Sequence, residues 1–303
     1  MSRIHEALRK ATEERTRLLA AAEPIDQIAA TADIYESVRA PSQVAQRTIL
    51  GTRPSELGPC VRFDDLVKWC SHPEWNPDPS SNPFHQPDDS ARICAERFRT
   101  LRSRLNQIAA TRQLRRLLVT SSTPAEGKTF VVTNLARSII CQPQKRVLLI
   151  DSDLRAPKLH VALGAPNSPG LADYLRGETD EFAVIQQGPA PNLCFIPCGR
   201  TVSDPSELLS GDRMKGLLEL VTPLFDWVIL DSPPVLPVHD ASILADLCDG
   251  VLFVVRAGET SHEMAERGTS EIRDKNLLGV VLNQVEKAQS YEGHYSGYLS
   301  EEQ

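Results

Sequence analysis

From about residue 91 onward the sequence predicts an α/β fold, a mostly parallel twisted sheet with helices on both faces. Three observations carry this. Six short runs rich in Val, Leu and Ile recur along this part of the chain. They are apolar on both faces, the pattern of strands covered from both sides. Stretches with helical spacing separate most of them, as crossover connections between parallel strands require.

The elements follow in order. Residues 1–22 read as an N-terminal amphipathic helix: Ile4, Ala7, Leu8, Ala11, Leu18 and Leu19 share a face, and Ser2 can cap its start. Two readings of that helix stay open, one docking on its own protein and one meeting a partner or a membrane surface. Residues 23–90 lack sustained periodicity and read as a largely irregular linker, with five prolines in "SHPEWNPDPSSNPFHQPDDS". Within it, "CVRFDDLVKWC" is compatible with a short helix packing Phe63, Val67 and Trp69. The predicted strands are "RRLLVTSS", "RVLLIDSD", "LCFIPCG", "DWVILDSPP", "GVLFVVRAG" and "LLGVVLNQV", which place the globular domain at 91–285. Residues 286–303 read as a flexible tail, and it holds Tyr291, Tyr295 and Tyr298 of the five tyrosines in the chain.

Composition narrows the function. A net charge of −7 and a pI near 5.6 do not favour general nucleic-acid binding. No apolar run reaches the eighteen or more residues of a membrane span, and the N-terminus lacks the apolar core of a secretory signal. The seven cysteines are scattered, and Cys194 and Cys198 fall in a strand pattern. They read as reduced structural thiols of a cytoplasmic protein.

The first strand runs into "TSSTPAEGKTFVVTNLARSII". A strand, a tight loop, Gly-Lys-Thr and a helix is the order of a phosphate-binding P-loop, and so of a P-loop NTPase. The nucleotide contacts then fall on Thr123, Pro124, Ala125, Glu126, Gly127, Lys128, Thr129 and Phe130. Lys128 reaches the β- and γ-phosphates, the Thr129 hydroxyl ligates Mg²⁺, and Gly127 lets the backbone come close. The pattern is incomplete, because its first glycine falls at Ser122 and Ala125 stands where many related loops have glycine. Asp151 ends the second strand, with Asp153 two residues on, and Asp231 ends the fourth. Ligands of open α/β sheets bind at that edge. Carboxylates there, Asp151 and Asp231 with Thr129, would hold Mg²⁺ beside ATP.

With these motifs in view, the chain resembles the bacterial tyrosine kinases of exopolysaccharide and capsule export. "TPAEGKT" is similar to their Walker A motif, "LLIDSDLR" to Walker A′ and "VILDSPP" to Walker B. The likeness continues through "GLADYLRGE", "PSELL" and "PPVLPVHDASILADLCDGVLFVVRAGET", and "MSRIHEALRKA" resembles the start of stand-alone autokinases of this kind. The resemblance implies catalytic roles for Lys128, Asp151 and Asp153, with Asp151 orienting or deprotonating the acceptor hydroxyl. It also implies a phosphate or inter-subunit contact for Arg155 and an adenine contact for Asn283. Glu96, Arg99 and Arg102 match the E-x-x-R-x-x-R helix through which such kinases pack into rings, and their spacing puts them on one helical face. The tail tyrosines are then substrates of a neighbouring subunit. Implied partners are a homo-oligomer, a separate membrane-spanning polysaccharide co-polymerase and a cognate tyrosine phosphatase. The implied place is the inner face of the plasma membrane, reached through that partner. Thr123 sits where the related partition and division-site ATPases carry an extra lysine, a departure that favours kinase over simple ATPase. An ATPase regulator and a nucleotide-bound scaffold are the alternatives.

Overall fold

The computed structural model describes residues 62–77 and 89–285. The helix expected over 1–22, most of 23–90 and the tail with its three tyrosines lie outside the described residues. Each of the six apolar runs forms a strand: β1 Arg116–Ser121, β2 Val147–Asp151, β4 Leu193–Ile196, β5 Trp227–Asp231, β6 Gly250–Arg256 and β7 Leu277–Asn283. A seventh, β3, is only Gln186–Gln187. The strand order is β3-β4-β2-β5-β1-β6-β7, and every pairing is parallel except β3 with β4.

Successive side chains of a strand point to opposite faces, and here both faces are covered. Leu118, Leu148, Ile150, Val228, Leu230 and Phe253 enter one core. Leu117, Val119, Leu149, Phe195, Ile229 and Val254 enter the other. Each fully buried Leu or Ile contributes about 1.5–3 kcal/mol relative to exposure, so the central strands anchor the molecule.

Helix Asp89–Thr111 supplies Phe98, Leu105 and Ile108 to the second core, at helical spacing. Phe98 meets Phe130 of helix Lys128–Ile140 edge-on at 5.9 Å. The first core is closed by Pro205–Ser210, Asp212–Val221 and Asp240–Asp246, with helix His262–Glu271 beyond β6.

Residues 62–77 form a strap on the domain, so this part of the stretch read as irregular is ordered and packed. Helix α1, Phe63–Trp69, buries Phe63 and Leu66. Phe63 packs edge-on against Phe225 at 5.4 Å under the Arg146 guanidinium, and Trp69 meets Phe182. The main chain then joins the sheet edge: Ser71 N–H donates to the Ile185 carbonyl (3.0 Å), and Gln187 N–H donates to that of Ser71 (2.8 Å). Further on, Asn76 N–H donates to Gly164. Gly164 has φ +64°, and a Cβ there would fall 2.0 Å from the Asn76 backbone, so only glycine admits the strap at that point.

Candidate active site

Strands β2, β5 and β1 are consecutive in the sheet, so their carboxyl ends bring three sequence-distant segments together. Asp151 and Asp231 are paired in register on β2 and β5, while β1 runs on into the loop at Ser122–Gly127. The loop enters helix Lys128–Ile140 through Gly127 at φ +94°. A Cβ on Gly127 would lie 1.9 Å from the Asn283 amide nitrogen, so conformation and space both demand glycine. Ala125 takes φ +66°, the left-handed conformation that glycine adopts freely, at a backbone penalty of about 1–2 kcal/mol. The incomplete sequence pattern therefore keeps the loop shape.

The loop is braced from within. Glu126 is buried, and its carboxylate accepts the Thr123 N–H (2.7 Å) and the Thr260 hydroxyl. Asn283 Nδ2 donates to the Glu126 carbonyl at 2.9 Å. Lys128 is 8% exposed, and its ammonium donates to Ser121 Oγ at 3.1 Å. Burial lowers the pKa of that ammonium, while Asp231, Asp153 and Glu126 resist the shift.

Thr129 Oγ1 donates to Asp231 Oδ2 at 2.6 Å, and Leu159 N–H donates to Asp151 Oδ2 at 3.0 Å. The second oxygen of each carboxylate is buried without a hydrogen-bond partner. Burial pushes Asp231 up to about 7, against the pull of Thr129 and Lys128. Burial, followed by the facing Asp231, raises Asp151 well above the usual carboxylate range. Two buried acceptors with one free oxygen each, beside a threonine hydroxyl, fit a hard divalent cation that takes its other ligands from phosphate and water. Asp153 is half-buried, and its Oδ1 accepts the N–H groups of Arg155 and Ala156, fixing the turn after β2.

Arg155 does not reach toward the phosphate loop. Its Nε and Nη2 grip the fully buried Asp240 at 2.7 and 3.1 Å, and Ser206 Oγ donates to the same carboxylate at 2.5 Å. Burial favours the neutral form of Asp240, but these bonds prevail and hold its pKa below the usual value. Glu96 and Arg99 pair on an exposed helix face, whereas Arg102 turns inward to the Ser138 carbonyl. Asn283 and Phe130 border a cavity of about 640 Å³ that is also lined by Phe98, Leu101 and Val281.

Sequence reasoning located the carboxylates, Lys128 and Thr129 but missed Ser121, Thr260, Ser206 and Asp240. Asp240 opens a helix, and an Asp there reads as a helix-start residue. Ser206 and Asp240 fall in the stretches "PSELL" and "PVHDAS" singled out above, but nothing local shows that both converge on Arg155.

A strand, a loop that closes on itself, a buried lysine and carboxylates on adjoining strand ends define a nucleotide-binding P-loop domain. Residues 117–303 match the model of the CobQ/CobB/MinD/ParA nucleotide binding domain. Within that class the chain belongs to the bacterial tyrosine-protein kinases. It is 34% identical over 205 residues to tyrosine-protein kinase YwqD of Bacillus subtilis (strain 168), covering 67% of this chain and 86% of YwqD. It is 35% identical over 210 residues to tyrosine-protein kinase etk of Escherichia coli (strain K12), but spans only 29% of the length of that longer protein. The solved kinase domain of Escherichia coli ETK superposes with a TM-score of 0.58 at 33% identity, over 65% of this chain and 79% of that one. None of the described helices is long and apolar enough to cross a membrane.

Proposed function

We propose that the chain is an ATP-dependent tyrosine autokinase which phosphorylates Tyr291, Tyr295 and Tyr298 between subunits and thereby regulates exopolysaccharide polymerisation and export. The observation that carries this is the register pair Asp151–Asp231, with one free buried oxygen on each carboxylate, beside Lys128 and Thr129. Lys128 and the loop amides hold the triphosphate, and the apolar cavity beside Phe130 and Asn283 suits the base. Thr129, Asp151 and Asp231 would hold Mg²⁺, whose charge offsets that of the phosphates.

Phosphoryl transfer needs alignment and charge compensation more than covalent help. The γ-phosphorus bond to the β,γ-bridging oxygen breaks as a bond to the tyrosine Oη forms, leaving ADP and a phosphotyrosine. The hydroxyl proton goes to Asp151, whose carboxylate is aimed by the Leu159 N–H. A full set of three tail phosphates adds roughly −4.5 to −6 of charge at about −1.5 to −2 each. That charge would expel the tail from a neighbour's site and loosen the assembly. Glu96 and Arg99 are the exposed residues for that assembly, and the membrane is reached through a separate spanning co-polymerase.

The test is direct. Purified full chain incubated with Mg-ATP acquires phosphotyrosine on the tail, read by mass spectrometry. Lys128→Ala abolishes the signal, and changing all three tail tyrosines to Phe removes most of it. An undiminished signal in the triple variant would refute tail autophosphorylation.

A further inference from the structure

The phosphate loop and the turn after β2 carry three cations: Lys128, Arg155 and Lys158. Lys128 is buried and bonded to Ser121. Arg155 is neutralised by the bidentate grip of Asp240. Lys158 is exposed, and its ammonium has no hydrogen bond or ion pair among the described residues. Most exposed lysines are simply solvated, so position has to decide.

The position is fixed by main-chain bonds. The residue after Lys158, Leu159, donates its N–H to Asp151 Oδ2 at 3.0 Å, and the Lys158 carbonyl accepts the Ala162 N–H at 3.1 Å. The Lys158 backbone is thereby held directly beside the buried carboxylate pair, and a four-carbon stem carries its charge from there. Asp153, the nearest carboxylate in sequence, has one oxygen occupied by the Arg155 and Ala156 amides. An unpaired ammonium on a main chain fixed beside the buried Asp151 carboxylate is placed to meet an anion that binds there.

We propose that Lys158 is a second phosphate-binding cation of this site, contacting the γ-phosphoryl group of a bound nucleoside triphosphate from the turn after β2. The inference rests on the nucleotide-dependent reading above. It adds a specificity: Lys128 serves the di- and triphosphate alike, whereas Lys158 distinguishes them, because only the triphosphate carries the terminal group. A lysine here acts as a mobile point charge that can follow the phosphoryl as it moves to the acceptor.

Binding of a non-hydrolysable ATP analogue and of ADP, each with Mg²⁺, to the full chain tests this by calorimetry. Lys158→Ala and Lys158→Gln should weaken the analogue about tenfold, the scale of one charge-assisted contact at an exposed site. ADP affinity should stay within about twofold of wild type, and Lys158→Arg should retain the preference. Equal loss for both nucleotides, or loss for neither, would overturn the assignment. So would an effect confined to the KM for a Glu-Tyr copolymer, which would make Lys158 a reader of acidic peptide. Absence of phosphotyrosine from the wild type would refute the kinase reading, while the two-nucleotide comparison would still decide the role of Lys158.

Discussion

At the scale of single residues, the site is held in a costly state. Two facing carboxylates on adjacent strands keep unpartnered buried oxygens, and an ammonium is buried beside them. Because burial raises Asp231 from 3.8 to about 7, the folded chain binds a proton that the unfolded chain releases. The sign follows for this group: its contribution to stability without nucleotide is greatest below pH 4, is lost as pH rises toward 7, and stays lost above it. Asp231→Asn, which keeps an oxygen for Thr129, should flatten that fall and raise the melting temperature at pH 7.5 by a few degrees, with little change at pH 5. The same variant should lose phosphotyrosine formation. Thermal melts at the two pH values check the first outcome, and a variant that melts lower than wild type at pH 7.5 would contradict it. These residues were legible in the sequence because a P-loop and strand-end aspartates are local patterns. The clasp of Arg155 by Asp240 and Ser206 was not, since it is made by side chains brought together only by the sheet order.

Among the elements, the strap contributes most beyond the sequence reading. Spacing pointed to Phe63, Val67 and Trp69, but the deepest side chain is Leu66, which is fully buried in the core beneath the sheet. A seven-residue helix flanked by proline-rich sequence has too few periods for its face to be read with certainty. The two-residue β3 was illegible for a related reason, because Gln186 and Gln187 carry no strand pattern and are paired only by their neighbours. Leu66→Ala should destabilise the chain by about 2–5 kcal/mol, the range for an unfilled core site. Urea denaturation measures it, and a change below about 0.5 kcal/mol, the size expected for a surface site, would mean that the strap is a detachable linker. The parallel sheet itself was the most legible part, since strands buried on both faces must be apolar throughout.

For the whole molecule, the proposed assembly face can be tested apart from the fold. Arg102 holds the Ser138 carbonyl inside its own chain, so changing it would disturb both the fold and any contact between subunits. Glu96 and Arg99 form an exposed pair, and such pairs contribute about 0–1 kcal/mol to folding. Reversing the charge of Arg99 alone should therefore leave the melting temperature nearly unchanged while shifting the chain to smaller species in analytical ultracentrifugation. An unchanged size distribution would remove this face from the assembly. The bond between Asn283 and the Glu126 carbonyl has a wider consequence. It anchors the end of β7 to the phosphate loop, and Tyr291 follows only eight residues later. Eight residues extend to at most about 26–29 Å. Short tethers of this kind give effective concentrations in the millimolar range. In the proposed assembly each nucleotide site would thus meet a neighbouring subunit's tyrosines on a short tether, and it could work with weak intrinsic recognition of tyrosine.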